Sequence, residues 1–551
     1  MQALQISHVT GRRIALTAAL LLLPALLFLA LFFVWPVLGV LADSLSNEAG
    51  LFKQYSQFFA SQTYLLILAR TIGSALLVTL LCALVGYPYA YLMSRSRGPR
   101  LQILTGIVLI SFFTSVMVRS FAWIILLQRN GIIDKLAQAV GFDSLVLRGT
   151  SLGVVIAMVQ IMLPFMIFPL YSAMVGIDDR LERASASLGA NRWTTFWRIY
   201  FPLSLPGVVA GCVIVFVTSL GFYIIPGLVG SPSSQLLSHL IYSLINTVLD
   251  IPMASTASVV MLALALAVVL PIMWRFDVSG NVVARFSAVD GQAPRQALPL
   301  RIWSWLVAAL LLLPALVVIP ISVPENRSFV FPPTGFSLKW YANFFSNAEW
   351  WGSFLNSLRV AIMVTLAATI LSVFAALALR KVSARTRTVV RALILTPRIV
   401  PGIIIAIAVY GQFMAWRLSG SAIGFVIAHT IMALPFAFIP IAATVEQFDK
   451  RFEDASASLG ASKITTFFRV MLPLIRTGLL TGALFSFVIS FDEVIVSLFI
   501  SGPTLRTLPV QMYRSIASDI DPTIAAASTM LLLVTACLVV ASMVFSNRKA
   551  R

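Results

Sequence analysis

The sequence predicts an all-α membrane protein with about twelve transmembrane helices, arranged as two parallel six-helix repeats. The chain of 551 residues is 59% hydrophobic and only 11% charged, whereas a soluble domain carries about a quarter charged residues. Apolar runs of roughly 18 residues or more, long enough to cross a bilayer, recur along its length. A short heptapeptide also occurs twice. These observations together exclude a water-soluble globule and indicate a duplicated membrane protein.

Helices are the expected elements because only helices and closed barrels satisfy backbone polar groups in lipid. The first apolar run exceeds the roughly 7–15 apolar residues of a signal peptide, so we expect an uncleaved first span. The predicted spans of the first half are 14–42, 64–94, 102–128, 151–177, 203–229 and 253–275. Those of the second half are 302–323, 352–379, 388–416, 421–446, 475–500 and 522–545.

The net charge of +19 could suggest nucleic-acid binding. The distribution of the basic residues instead indicates how the chain is oriented in the membrane. Basic residues form short clusters between apolar runs, the pattern of loops that face the cytoplasm. Both termini are basic, so we expect both in the cytoplasm. The polar stretch 277–301 reads as a cytoplasmic linker between a first repeat, 1–276, and a second repeat, 302–551. The basic clusters lie at 95–100, 180–198, 380–387, 450–469 and 548–551.

An internal repeat relates the two halves. The segment Ala184–Ala190, ASASLGA, recurs as Ala455–Ala461, an offset of 271 in the numbering. Nearer the N-terminus the offset becomes 286, which places about 15 extra residues around 129–150 of the first half. Each repeat has an even number of spans, so the repeats are predicted to be parallel, with a translocation path between them.

The repeated segment predicts a pair of short helices. Asp178 can cap a first helix, Gly189 permits a turn, and a second helix over 191–200 should stop at Pro202. Asp449, Gly460 and Pro473 occupy the same positions in the second copy. The pair either lies on the membrane surface or protrudes into a groove of a cytosolic partner.

The same segment resembles the coupling signature of ABC-importer permeases, in which a short helix docks in a cleft of the ATPase subunit. Leu188-Gly189-Ala190 and Leu459-Gly460-Ala461, each followed by a proline, carry the likeness. The signature's glutamate position is Arg183 in the first copy and Asp454 in the second. The implied ATPase-coupling residues are Glu182, Arg183, Ala184, Gly189, Pro202, Glu453, Asp454, Ala455, Gly460 and Pro473.

The resemblance covers nearly the whole chain and implies the type I ABC-importer permease fold in a bacterial inner membrane. Ser490–Glu493 and Thr507–Val510 are similar to one spermidine/putrescine permease, and Leu220–Tyr223 to its partner permease. The family likeness implies two cytosolic ATPase subunits that hold ATP and Mg²⁺, a periplasmic binding protein, surrounding lipid, and a polyamine-like cation as solute. Relatives in the same superfamily carry opines, aminophosphonates, ferric iron or thiamine instead.

The chain itself has no nucleotide-binding loop of the form G-x-x-x-x-G-K-[ST], no metal-ligand spacing and no catalytic constellation. We therefore expect a conduit rather than an enzyme, with no cofactor or metal of its own. A secondary transporter driven by an ion gradient is the alternative. It would need ionisable relays in both halves and no duplicated docking helices.

Asp492 and Glu493 are the candidate substrate-path carboxylates, because ionisable residues within spans usually face an interior or a cavity. Their counterparts at the offset of 271 are Gly221 and Phe222, so only one half supplies charge. Phe222 or Tyr223 could offer a ring face to an ammonium group. Alternatively, the acidic pair caps a helix break or pairs with a buried arginine.

Overall fold

The structure is a computed structural model that describes residues 2–45, 52–275, 297–327, 333, 335–503, 505–518 and 521–547. The predicted linker 277–301 lies outside the described residues as far as residue 296, and the basic cluster 548–551 lies outside them as well. Within the described ranges all elements of regular secondary structure are helices. The β pairing there is a single isolated bridge between Pro324 and Phe336. The predicted all-α class is confirmed.

Helices of the first half alternate long apolar segments with short connecting ones. Among the described residues of this half, the π-helical turns Ala30–Val34 and Phe196–Tyr200 join consecutive helices, and Leu244–Val248 ends the helix before it at the left-handed residue Leu249. The α-helices are Gln2–Leu29, Trp35–Leu45, Lys53–Ala60, Gln62–Ser94, Gly98–Phe113, Val116–Leu127, Ile132–Ala139, Ser151–Val175, Asp179–Ser187, Arg192–Thr195, Phe201–Leu220, Ile224–Val229, Leu237–Ser243 and Ile251–Arg275.

Helices of the second half follow the same order. One π-helical turn, Phe467–Met471, again precedes a long helix. The α-helices are Leu298–Ile321, Lys339–Ser346, Ala348–Leu379, Ala384–Ile399, Gly402–Ala415, Ala422–Glu446, Lys450–Ser458, Lys463–Thr466, Leu472–Phe491, Ile495–Ile500, Leu508–Ser518 and Thr523–Asn547.

Helix starts reproduce the two offsets of the repeat. Helices that begin at positions 62, 98 and 116 have counterparts that begin at 348, 384 and 402, which is the offset of 286. Helices that begin at 151, 192, 201, 224 and 237 have counterparts that begin at 422, 463, 472, 495 and 508, which is the offset of 271. The extra segment of the first half lies at the helix Ile132–Ala139 and the loop after it, as predicted.

The carboxylate of Asp134 fixes this inserted loop. It accepts the backbone N–H groups of Asn130 and Leu145, each at 2.7 Å, and the Ser144 hydroxyl donates to it at 3.1 Å. One buried side chain thus holds both ends of the insertion together. The helices before and after the insertion can therefore keep the positions that they have in the other repeat.

Among the described residues, ten helices are long and apolar enough to cross a membrane, or eleven if Ala384–Ile399 and Gly402–Ala415 form one bent span. Each predicted span has a helical counterpart, but the last is counted only as the shorter apolar helix Thr523–Val534.

The third and ninth predicted spans are wrong as single helices. The third breaks between Phe113 and Val116, where the Ser115 hydroxyl accepts the N–H of Met117 at 3.2 Å. The ninth bends by 94° at Pro401, a residue that cannot donate a backbone hydrogen bond. Ser115 and Pro401 are related by the offset of 286, so both repeats break at the same position.

The described chain forms two compact units that do not follow the halves of the sequence. One unit comprises residues 1–42, 352–400 and 404–510, and the other comprises 43–351, 401–403 and 511–551. The first helix therefore belongs with second-half helices, where Phe32 lies edge-on to Trp416 with ring centroids 5.9 Å apart.

The other unit likewise holds the first helix of the second half. Leu298–Ile321 packs there on Gln62–Ser94 and Val116–Leu127, and its Leu311 carbonyl accepts a hydrogen bond from Gln160 at 3.2 Å. Each compact unit therefore contains the first span of the other repeat. The repeat boundaries predicted from the sequence refer to order along the chain and not to these compact units. They stay a prediction.

Pairs of glycines allow a close helix crossing within each unit. A Cβ on Gly207 would lie 2.8 Å from the Pro169 carbonyl oxygen, and one on Gly211 would lie 2.5 Å from the Met166 sulfur. Their repeat equivalents Gly478 and Gly482 face the Pro440 and Ala437 carbonyls at 2.6 and 2.8 Å. The G-x-x-x-G spacing lets membrane helices approach closely. Both repeats thus use the same small-residue crossing.

Valine at Gly207 or Gly478 should destabilise the fold by about 1–3 kcal/mol, because added methyl groups overpack a close crossing. The measurement is the midpoint of thermal unfolding in detergent. Gly73→Val and Gly352→Val are matched controls, since nothing lies within 4 Å of a Cβ at either helical glycine. Equal midpoints for the four variants would contradict the close-crossing explanation.

Candidate coupling segments and substrate path

Residues 178–200 and 449–471, called the coupling segments after the signature that they resemble, have the same internal geometry. In the first, the Asp178 carboxylate caps Asp179–Ser187 by accepting the N–H of Arg180 at 2.8 Å. Gly189 then has a φ of 82°, which glycine adopts without the penalty a Cβ would bring. Asn191 caps the next helix by accepting the N–H of Thr194 at 2.7 Å.

The second coupling segment repeats each device. The Asp449 carboxylate accepts the N–H of Arg451 at 2.9 Å, Gly460 has a φ of 76°, and the Ser462 hydroxyl accepts the N–H of Thr465 at 3.2 Å. The predicted cap–helix–glycine–helix order is therefore present in both copies.

A hydroxyl pair joins the two short helices of each segment. Ser185 and Thr195 lie 2.9 Å apart in the first, and Ser456 and Thr466 lie 2.9 Å apart in the second. The four residues hold the same positions in the repeat. Each segment is consequently a small hairpin of two helices closed by a glycine turn, rather than two independent surface helices.

Glu182 and Glu453 attach these hairpins to the rest of their units. Glu182 pairs with Arg95, directly after the helix Gln62–Ser94. Glu453 pairs with Arg380 at 2.6 Å, directly after the helix Ala348–Leu379. Both arginines also lie over aromatic rings: Arg95 lies 5.3 Å from the Tyr200 centroid and Arg380 lies 5.3 Å from that of Phe448. Each glutamate therefore links its hairpin to the end of a long helix in the same unit.

The positions after these glutamates face outward. Arg183, Ala184, Asp454 and Ala455 are exposed. The tips are exposed and apolar, with Leu188 at 88% and Leu459 at 87%. Each segment thus presents a leucine and a glycine turn, and the exposed residue after the glutamate is positive in the first copy and negative in the second.

The predicted stop at Pro202 is wrong, and so is the equivalent expectation for Pro473. Arg192–Leu220 runs as one helical stretch of 29 residues, and Lys463–Phe491 does the same. A π-helical turn ends two residues before each proline and widens the backbone: the N–H of Phe201 bonds to the Phe196 carbonyl, five residues back. Such a turn accommodates the ring and missing N–H that would otherwise break a helix.

Glu493 in the structure is a helix cap. Its two carboxylate oxygens accept the N–H groups of Val496 and Ser497, each at 2.8 Å, and the side chain is buried. His429 Nε2 lies 3.6 Å from the same carboxylate. For Glu493, these hydrogen bonds agree with the alternative expectation that the acidic pair caps a helix break. Asp492 is half-buried beside it.

His429 joins three elements of its unit. Its Nδ1 lies 3.0 Å from the Ser490 hydroxyl and its Nε2 lies 2.9 Å from the Ser497 hydroxyl. The imidazole is buried in the helix Ala422–Glu446. It therefore bridges the two helices on either side of the Asp492–Glu493 break and holds that break in place.

Phe222 and Tyr223 lie at the corresponding break of the first repeat, and both are buried. The Ser238 hydroxyl donates to the Phe222 carbonyl at 2.8 Å. The Tyr223 hydroxyl lies 2.7 Å from that of Tyr513. Tyr513 was missed in the sequence, although it is the repeat equivalent of Tyr242, a second ring that contacts Tyr223. The repeat offset was the signal that could have found both.

Residues 86–278 and 368–551 match the family described as binding-protein-dependent transport system inner membrane component. The match covers more than half of the chain and includes both coupling segments, so the chain belongs to this family, with its domain present twice. The spermidine/putrescine transport system permease protein PotB of Haemophilus influenzae is 32% identical over 193 residues, which cover 35% of this chain and 67% of PotB.

PotC of the same organism is 28% identical over 244 residues, which cover 44% of this chain and 95% of PotC. The predicted likeness of a fused chain to the spermidine/putrescine permease group is thereby confirmed. A solved structure of the bacterial alginate ABC transporter, in complex with an alginate pentasaccharide-bound periplasmic protein, matches with 20% identity and a TM-score of 0.40. It covers 46% of this chain and 90% of its own.

Replacing Glu493 by alanine should lower the free energy of unfolding by about 1–3 kcal/mol, because two buried N–H groups lose their acceptor. Asp492→Ala is the neighbouring control and should cost less. Thermal unfolding of the purified chain in detergent measures both. A larger loss for Asp492→Ala than for Glu493→Ala would be incompatible with the assigned cap.

Proposed function

We propose that this chain is the fused permease of an ATP-driven importer and that its two coupling segments dock on two cytosolic ATPase subunits. The observation that carries the proposal is the duplicated hairpin with its exposed leucine tip. An apolar tip on a rigid, glycine-turned hairpin suits insertion into a groove of a partner. Family membership supports a conduit that works with a binding protein outside the membrane.

In this proposal ATP and Mg²⁺ belong to the partner subunits, and the chain carries out no chemistry. The coupling segments and both termini lie on the cytoplasmic side, in agreement with the basic clusters around them. When the ATPase subunits close, each hairpin moves with its subunit. The Glu182–Arg95 and Glu453–Arg380 pairs pass that motion to the ends of long helices in each unit.

Aspartate at Leu188 and Leu459 should abolish retention of the ATPase, because a charge would replace the apolar tip that enters the groove. Co-purification of the tagged chain with its ATPase subunits measures this. Phe336→Asp is a matched control, since Phe336 is 76% exposed in a segment far from both hairpins in the chain. Transport that persists without any ATPase subunit would favour an ion-driven transporter instead.

The solute in this proposal is a small polyamine-like cation delivered by a periplasmic binding protein. Resemblance to PotB and PotC supports the cation, and Asp492 supplies a carboxylate at the helix break that Glu493 caps. A negative charge along the path attracts an ammonium group. Opines, aminophosphonates, ferric iron and thiamine are the competing solutes, and binding measurements on the external receptor distinguish them.

Asp492→Asn should lower spermidine uptake by about fivefold or more, because two unit charges about 4 Å apart attract by about 1 kcal/mol even in water. Uptake by cells that express the complete importer measures the effect. Asp143→Asn, which removes an exposed aspartate from the loop of the first repeat, is the control. Unchanged uptake in Asp492→Asn would remove this residue from the path.

A further inference from the structure

A tyrosine cluster centred on Tyr223 lies in the compact unit that contains residues 43–351 and 511–551. The ring centroid of Tyr223 is 4.8 Å from that of Tyr242, 5.9 Å from that of Tyr513 and 5.7 Å from that of His239. Tyr223 is 1% exposed. Three phenol rings and an imidazole thus meet at one point of the fold.

Two members of the cluster are repeat equivalents. Tyr242 and Tyr513 are related by the offset of 271 that relates the repeats in this region. Tyr223 has no aromatic counterpart, because the residue at the same offset is Val494. The duplicated tyrosines therefore converge on a ring that a single repeat supplies. This is the arrangement expected where two repeats share one ligand rather than bind one each.

The cluster lies a membrane's thickness from the coupling segment of its own unit. The helix Phe201–Leu220 joins them and contains 20 residues, which span about 30 Å. That length equals the hydrocarbon thickness of a typical bilayer. The tyrosines consequently lie toward the side opposite the coupling segment, where a solute from an external binding protein would enter.

The chemistry of the cluster suits an organic cation. Aromatic faces attract ammonium groups within about 6 Å of the ring centroid, and several rings together form cages for them. Gly227 borders the cluster: a Cβ there would lie 3.5 Å from the Tyr513 hydroxyl and 3.6 Å from His239. A glycine at this position thus places no side chain against the rings. The hydroxyl bond between Tyr223 and Tyr513 draws the rings together.

We propose that Tyr223, Tyr242 and Tyr513 form a contact site for an ammonium group of the transported solute. The ammonium lies against the three rings once the bond between the hydroxyls of Tyr223 and Tyr513 opens. The proposal rests on the cationic solute of the proposed function and adds Tyr242 and Tyr513 to the ring face that the sequence predicted at Tyr223. It places the first contact on the far side of the membrane from the ATPase.

The test is the KM for spermidine uptake by the complete importer in cells. Tyr242→Leu and Tyr513→Leu remove a ring face and should each raise the KM by about 3- to 10-fold. Tyr513→Phe keeps the ring and should stay within about twofold of the parent. Tyr341→Leu and Tyr341→Phe are matched controls in the same unit, because the Tyr341 hydroxyl also lies 2.7 Å from a hydroxyl, that of Ser322.

Parent-like KM values for both leucine variants overturn the site. Equal losses for Tyr513→Phe and Tyr513→Leu overturn it as well, because the hydroxyl rather than the ring face would then carry the effect. If a leucine variant fails to assemble, Tyr242→Phe and Tyr242→Trp are compared instead, because both keep a ring face. The KM of Tyr242→Trp should be equal to or lower than that of Tyr242→Phe. A parent importer that takes up another solute but not spermidine refutes the proposed cation instead, whatever the tyrosines do.

Discussion

Backbone hydrogen bonding in an apolar solvent is the constraint on which the whole structure depends. Lipid offers no partner for a free N–H or C=O, so helices must be continuous or their breaks must be satisfied by side chains. The breaks in this chain follow that rule. Ser115 accepts the N–H of Met117, and Glu493 accepts those of Val496 and Ser497. Ser115 and Glu493 therefore stabilise the helix breaks at which they lie.

The duplication preserves these satisfied positions more closely than it preserves the sequence. The Thr71 hydroxyl accepts the N–H of Leu237 at 2.8 Å, and the Ser357 hydroxyl accepts that of Leu508 at 2.7 Å. Thr71 and Ser357 are related by the offset of 286, and the two leucines by the offset of 271. Different hydroxyl residues thus cap equivalent helices. What both repeats retain is the hydrogen bond, together with the glycine crossings and the glutamate–arginine pairs.

Apolar runs predicted where helices lie, since burial in lipid requires long uncharged segments, and the two offsets predicted which elements correspond. The exchange of first spans between the compact units was not predictable, because a uniformly apolar helix carries no information about its neighbour. The sequence pattern also did not show which of Asp492 and Glu493 is the helix cap. That depends on which carboxylate faces the freed N–H groups. The π-helical turns before Pro202 and Pro473 were missed because proline ordinarily ends a helix.

Two differences between the repeats lie at an exposed position of the hairpins and at the helix breaks. Arg183 stands against Asp454 on the exposed side of the hairpins, and Tyr223 stands against Val494 at the breaks. Both differences lie in side chains, and the hydrogen bonds to the backbone carbonyls of Arg183 and Asp454 are retained. The pairs at Glu182 and Glu453 and the helix order are the same in both copies. A duplicated frame that is held by its own backbone bonds can vary such side chains without unfolding. The two repeats can then carry different side chains at the same place in the fold.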